Sequence, residues 1–459
     1  MNKGLAAVIL AAGKGTRMRS AQPKVLHAIC GRPMLYYPLT AARAAGFADL
    51  KVVIGHGAGQ VTEAFPDQDI TWVEQTDQLG TGHALMCAAE SLRGYSGALL
   101  LLCGDVPLLK GETLQQLYSY HRQEQAAVTV LTARLPDPHG YGRIIRDGEQ
   151  VVAIVEERDA DDMQRQVTEI NTGTYLFDTV FVLEALKGLN KNNAQGEYYL
   201  TDVVAAAIAA GKDTRALCVD DPTEVMGIND RRQLAEAEVL MRWRINADHL
   251  YGGVSMVDPT TVYIDEGVEL GNDTLLHPNV HLRGRTTIGR NCVIEPGVVV
   301  VDSQVAAGTH LKAGSVIEGS QIGPQCIIGP MAHLRPGTSL QGQNKLGNFV
   351  ETKKAQFGEG SQASHLTYIG DAVVGRNVNF GCGTITCNYD GVHKHQTTIE
   401  DDVFVGSDTQ FIAPVHIGRN SLIAAGTTVT KDVPADALAL SRVEQRNIAG
   451  WRLRQQKKS

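Results

Sequence analysis

Two hydrophobic periodicities divide this chain. In the first part, apolar runs such as Ala6 to Leu10, Lys51 to Ile54, Ala98 to Leu102 and Ala127 to Leu131 read as buried strands. Helical patterns separate them, at Met34 to Ala45, His83 to Leu92 and Glu112 to Glu124. Strands alternating with helices predict a parallel sheet covered by helices on both faces. Pro33 stands where the first helix would begin and Gly46 where it would stop. A charged helical stretch follows from Asp230 to about His249, with Leu234, Ala237, Met241 and Ile245 on one face. Asp230 is its candidate cap, and Gly252-Gly253 ends it. It reads as a connector, so the expected division is 1–229, a helical linker 230–251, and 252–459.

From Ile264 onward the period becomes six. Apolar residues recur at Ile264, Leu270, Leu276, Leu282, Ile288, Ile294 and Val300, and again at Ile322, Ile328, Leu334, Leu340 and Leu346. A third block runs Ile399, Val405, Phe411, Ile417, Ile423 and Val429. Many are followed by Gly, as in Ile288-Gly289 and Val405-Gly406. A sandwich of short strands would alternate every two residues; a strict six predicts a parallel β-helix. Each unit supplies one short strand, its aliphatic side chain points into the prism, and the small residue allows the corner. The period fails between about Thr386 and Thr398, which predicts a surface excursion carrying function.

Composition changes this picture little. The repeat accounts for the 48 glycines among 459 residues. A net charge of −8 argues against nucleic acid or an anionic membrane as partner. The one basic run, Arg452 to Lys458, reads as a solvated terminus. Eight scattered cysteines, without a C-x-x-C pair, read as reduced, mostly buried thiols of a cytoplasmic protein. The apolar start imitates a leader peptide, but it empties into Lys14-Gly15-Thr16-Arg17, which a cleavage site does not explain. No run approaches the ~20 apolar residues a membrane span needs.

Leu10-Ala11-Ala12-Gly13-Lys14-Gly15-Thr16-Arg17-Met18 follows a buried strand, with Pro23-Lys24 beyond. A Gly-rich turn at the carboxyl end of a strand offers backbone N–H groups to phosphate oxygens. Arg17 and Lys24 add charge for a polyphosphate. The pattern is neither a Walker A loop nor a Rossmann fingerprint. With Gln75, Leu79-Gly80-Thr81-Gly82 and Gly104-Asp105, it resembles the sugar-1-phosphate nucleotidyltransferases. That resemblance implies nucleotide binding by Leu10, Ala11, Ala12, Gly13, Arg17, Lys24, Gln75, Gly80, Thr81, Cys103, Gly104 and Asp105. It implies sugar binding by Gly142, Glu156 and Asn171, and Mg²⁺ held by Asp105 and Asn229. Cys103 stands where relatives carry Tyr.

In the β-helix, Ser364-His365-Leu366-Thr367-Tyr368-Ile369-Gly370-Asp371 interrupts the aliphatic repeat. Arg335, Lys353, Asn379, Asn388, Tyr389 and Lys394 break it nearby. Acetylating an amine needs a base, and His has a pKa near working pH. The three cations suit a substrate phosphate.

Together the two halves resemble the bacterial family that joins N-acetylglucosamine-1-phosphate uridylyltransferase to glucosamine-1-phosphate N-acetyltransferase. The likeness extends over almost the whole chain, including Asn193-Ala194-Gln195-Gly196-Glu197-Tyr198-Tyr199 and Gly383-Thr384-Ile385-Thr386-Cys387-Asn388-Tyr389-Asp390-Gly391. It implies a Rossmann-like nucleotidyltransferase domain followed by a left-handed parallel β-helix of hexapeptide repeats. UTP and acetyl-CoA are the implied co-substrates, and UDP-N-acetylglucosamine the product, for peptidoglycan and lipopolysaccharide. It makes His365 the base; Arg335, Lys353, Tyr368, Asn379 and Lys394 the sugar-phosphate ligands; and Cys382, Asn388, Tyr389, Ser407, Ala425 and Arg442 the acetyl-CoA site. It also implies a homotrimer. The alternatives are a single-activity nucleotidyltransferase with a structural or regulatory β-helix, and a non-enzymatic scaffold.

Overall fold

The computed structural model describes residues 4–66, 69–193 and 195–456. Lys457 and Lys458 of the basic run and Ala194 of the 193–199 motif lie outside the described residues. Contacts divide the chain into two compact units, Met1–Met241 and Arg242–Ser459. The division falls inside one helix, Arg231–Tyr251, whose first half belongs to one unit and second half to the other. Asp230 caps it, its carboxylate accepting from Gln233 N at 2.9 Å.

The first unit is built on a sheet ordered Thr214–Cys218, Val128–Arg134, Glu169–Asp178, Ala98–Cys103, Ala6–Leu10, Asp49–Ile54, Ile70–Glu74. Alternate residues of the central strands enter opposite cores. Ala7, Ile9, Leu100 and Leu102 pack with Leu35 and Leu39 of one helical layer. Ala6, Val8, Leu99 and Leu101 pack with Ala84, Leu85, Val203 and Val204 of the other. Both faces are therefore covered, as the alternating pattern predicts.

The sheet is mixed rather than purely parallel. Glu169–Asp178 runs antiparallel between Ala98–Cys103 and Val128–Arg134. The chain reaches it from the hairpin Arg143–Asp147/Gln150–Val155, with no crossover helix, and a strand returning without a crossover must run antiparallel. The start of the first helix also differs. Arg32–Pro33 pairs with Ala28–Ile29 in a short hairpin, and the helix begins at Tyr36. Gly46 does end it, at φ 91°.

The second unit is a parallel β-helix of three strands per coil. Leu276 lies opposite Ile294, Leu282 opposite Val300 and Ile288 opposite Val305. The apolar residues of the three blocks are buried, except Leu270 near the first coil, which is half-buried. The change of phase after Val300 has a structural cause: Val300 to Val305 and Ile317 to Ile322 are steps of five, turned at Asp302 (φ 45°) and Gly319 (φ 49°). The same corner is short again at Lys354 and Asp371, with φ 46° and 47°. The excursion after Thr386 leaves from this corner too, because Thr386 stacks on Phe411 and Ile399 on Ile417.

Glycine after the interior residue serves close approach rather than turning. A Cβ on Gly289 would sit 2.6 Å from Ala307 N of the next coil, and one on Gly406 would sit 2.5 Å from Ala425 N. Among the described residues, no helix is long and apolar enough to cross a membrane. The thiols are less uniformly buried than expected: Cys30, Cys292 and Cys326 are buried, but Cys382 is exposed. It occupies a corner, where side chains point away from the prism.

Candidate active sites

The first site lies at the carboxyl ends of Ala6–Leu10 and Ala98–Cys103. Gly104 N donates to Leu10 O at 2.8 Å and Ala11 N to Val53 O at 2.8 Å, so the ladder holds until the turn opens at Gly13. A cavity of about 580 Å³ opens there, of a size that suits a small-molecule ligand. Leu10 to Gly13, Lys24, Gln75, Gly80, Thr81, Cys103 and Asp105 all line it. Gly15 (φ 59°) has no alternative, since a Cβ there would meet Lys24 Cβ at 2.7 Å. Gln75 is buried, its amide donating to Gly80 O at 3.2 Å and meeting His83 Nδ1 at 3.0 Å.

Lys24 marks the polar centre. Its ammonium touches Asp105 Oδ2 at 2.5 Å and Asn229 Oδ1 at 3.2 Å, with the lysine side chain only 12% exposed. Two oxygen donors from distant parts of the chain thus converge on one cation. Beside them, burial and the Asp105 charge push the Cys103 thiol up to about 12. A thiol held neutral is no nucleophile.

Gly142, Glu156 and Asn171 form a neighbouring cluster outside the residues lining the cavity. Asn171 N donates to Gly142 O at 2.8 Å, and a Cβ on Gly142 would lie 3.5 Å from both Asn171 Cβ and Glu156 Oε2. Burial, then the Asp159 charge, raises the Glu156 pKa. Arg17 is exposed on the turn Thr16–Met18, and Gly104 packs against Leu10 and Ala11; neither lines the cavity. Sequence reasoning missed Gln78, whose amide donates to Ala12 O at 3.0 Å, and Glu197, both on the cavity wall. Glu197 could have been found inside the 193–199 motif; Gln78 carried no signal.

The second site occupies one face of the β-helix and the two corners bounding it. His365 is exposed at one corner, its Nδ1 3.2 Å from Asn348 Oδ1 one coil away. An Asn carbonyl there accepts from Nδ1–H and leaves Nε2 able to take a proton. Cys382, Ser407 and Ala425 each follow by two residues the stacked interior positions Phe380, Val405 and Ile423. They form a column on that corner, with Asp408 N donating to Cys382 O at 2.7 Å and Gly426 N to Ser407 O at 2.8 Å. Cys382 thus contributes a backbone carbonyl to the ladder and keeps its thiol outside. Tyr368 stands on the face between the corners, stacked between Glu351 and Ile385. Asn379 is on the adjoining face, opposite Gln362.

The other corner carries the cations. Arg335 N donates to Thr352 O at 2.9 Å, which places Arg335 over Lys353, and its guanidinium pairs with Glu351 at 2.8 Å. Lys394 comes from the excursion to meet Lys353, and that second ammonium, with Arg335 behind it, lowers the Lys353 pKa. The excursion is shaped by Asp390, which accepts from Val392 N at 2.8 Å, His393 N at 2.6 Å and His395 Nε2 at 2.7 Å. Those donors hold the Asp390 carboxyl down to about 2. Asn388 donates to Asp371, and Tyr389 OH to Gly391 O at 2.6 Å. Arg442 is exposed in the segment beyond the last coil. Asn348 and Asp390 were not singled out in the sequence; only the coil register reveals the first.

Comparison with known proteins finds relatives of both units. Residues 7–169 match the MobA-like NTP transferase domain, 259–357 the GMPPB C-terminal domain, and 396–431 the bacterial transferase hexapeptide of six repeats. The Bifunctional protein GlmU of Syntrophotalea carbinolica is 60% identical over 98% of this chain and 97% of its own. That of Pelobacter propionicus is 55% identical over the full length of both. That of Halalkalibacterium halodurans is 47% identical over 96% of this chain and 97% of its own. Likeness of this degree through both units sets aside a single-activity enzyme or a scaffold: this chain belongs to the GlmU family of bifunctional proteins.

Proposed function

We infer that the chain acetylates glucosamine 1-phosphate with acetyl-CoA, then transfers UMP from UTP to the resulting N-acetylglucosamine 1-phosphate. The products are UDP-N-acetylglucosamine and pyrophosphate, for peptidoglycan and lipopolysaccharide. One observation carries the reading: a cavity large enough for a nucleotide, with Lys24 on its wall, and a β-helix bearing an exposed histidine on one corner and a cation cluster on the next coexist in one chain. The test supplies glucosamine 1-phosphate, acetyl-CoA and UTP to the purified protein. UDP-N-acetylglucosamine is expected, and its absence with intermediate supplied as well would overturn the reading.

In the acetyl site the substrate phosphate meets Lys353, Lys394 and Arg335, and Tyr368 and Asn379 hold the sugar. The sugar amine attacks the thioester carbonyl, His365 Nε2 takes the amine proton, and the C–S bond breaks as that proton passes to the departing sulfur, so that coenzyme A leaves as its thiol. Asn388, Tyr389, Arg442 and the column of Cys382, Ser407 and Ala425 hold the acetyl-CoA.

In the uridylyl site, Leu10 to Gly13, Gln75, Gly80, Thr81, Cys103 and Gly104 hold the nucleotide, while Gly142, Glu156 and Asn171 hold the sugar. The sugar phosphate oxygen attacks the α-phosphorus of UTP as the bond to pyrophosphate breaks. Lys24 moves from Asp105 onto the phosphates, and Arg17 joins it there. Asp105 and Asn229 fit Mg²⁺: both offer hard oxygen, and the Lys24 ammonium already rests between them as a stand-in cation. Mg²⁺ takes few protein oxygens and keeps water and phosphate ligands, so two side chains suffice to hold it. When bound there, Mg²⁺ supplies charge neutralisation on the phosphates.

The assembly is read as a closed homotrimer in the cytoplasm. Met331, Phe349 and Leu366 are 58%, 57% and 60% exposed on the corner that carries His365, an apolar ridge that a second copy would cover. Light scattering is expected to give three times the 49.4 kDa of the chain; a stable monomer active in acetyl transfer would overturn the trimer.

A further inference from the structure

Arg143 opens the strand Arg143–Asp147, yet its side chain is only 2% exposed. A guanidinium so placed is costly unless its donors are satisfied. It donates to Tyr141 O, to Arg165 O at 3.4 Å from both Nε and Nη2, and pairs through Nη2 with Glu157 Oε2 at 2.7 Å. The Glu157 carboxylate also accepts from Gly140 N at 3.3 Å and meets His139 at 3.4 Å. One ion pair therefore laces the turn 137–142 to the segment 156–165.

The backbone of Arg143 does the same for the sugar cluster. It lies opposite Val155 and opposite Ile170, so Gly142, Glu156 and Asn171 each adjoin a residue of this single register. Tyr141, whose carbonyl Arg143 holds, reaches through its hydroxyl to the backbone of Gly227, two residues before Asn229. Neither Arg143 nor Glu157 lines the cavity.

We propose that Arg143 and Glu157 are a positioning pair that sets the gap between the Gly142 turn and Glu156, and so governs capture of the sugar 1-phosphate. This rests on the uridylyl activity proposed above. The pair acts through backbone placement: one guanidinium reaches Tyr141 O, Arg165 O and Glu157 at once, a fork that the single ammonium of Lys does not reproduce.

The test measures steady-state uridylyl transfer by Arg143→Lys and Glu157→Gln in the full chain. The KM for N-acetylglucosamine 1-phosphate is expected to rise about tenfold or more in both, while the KM for UTP stays within about twofold. Glu157, 23% exposed, is the safer change should Arg143→Lys fail to fold. A parallel rise in both KM values, or a fall in melting temperature with the sugar-phosphate KM unchanged in Glu157→Gln, overturns the proposal. A wild-type protein without uridylyl transfer would instead sink the proposed function itself.

Discussion

Acetyl transfer by the His365→Ala variant is expected to fall ~10²–10⁴-fold, the usual contribution of a general base. Uridylylation of supplied N-acetylglucosamine 1-phosphate should remain near wild type. The two reactions are assigned to units with separate cores, and point changes in one leave the other intact. Raising the pH should partly restore the variant, because more of the sugar amine is then unprotonated without help. Assays of both activities on one preparation, from neutral to alkaline pH, check this. If His365→Ala keeps acetyl transfer within a few-fold of wild type, the histidine is a corner residue of the prism and the base assignment fails.

The Asp105→Ala variant should show the converse. Removing the carboxylate leaves Lys24 beside Asn229 alone and takes away one of the two oxygens assigned to Mg²⁺. Uridylyl transfer is expected to drop by about 10²–10³-fold, the scale of losing one preorganised electrostatic group. Acetyl transfer should be unchanged. EDTA added to the wild-type protein should reproduce that split, with excess Mg²⁺ restoring the lost activity. Equal loss of both activities with EDTA would contradict the metal assignment. Uridylyl transfer that survived Asp105→Ala would contradict the role of the carboxylate.

Much of the architecture was legible because it depends on local repetition. The six-residue period forces a parallel β-helix, since each aliphatic residue must return to the same axis after three strands. Strand–helix alternation likewise announced a sheet with two covered faces. The antiparallel strand Glu169–Asp178 was not legible. Nothing local records that the parallel crossover skips a position, which a later segment then fills. The glycines after interior residues were read as corner formers, but their reason is the backbone of the next coil, about 18 residues away in sequence.

The site divides in the same way. Residue types and order by themselves determined which chemistry is present: a phosphate-binding turn with Lys24 and Asp105, a histidine in a solenoid, and cations around it. Tertiary structure alone decided that Lys24, Asp105 and Asn229 share one point. It also stacked Asn348 on His365 and brought Lys394 to Lys353 through an excursion from the same corner. The physical reason is range. Periodicity and turn chemistry act over a few residues, and a sequence displays them directly. A cation between oxygens 81 and 205 residues away is set by how strands pack, which no local pattern encodes.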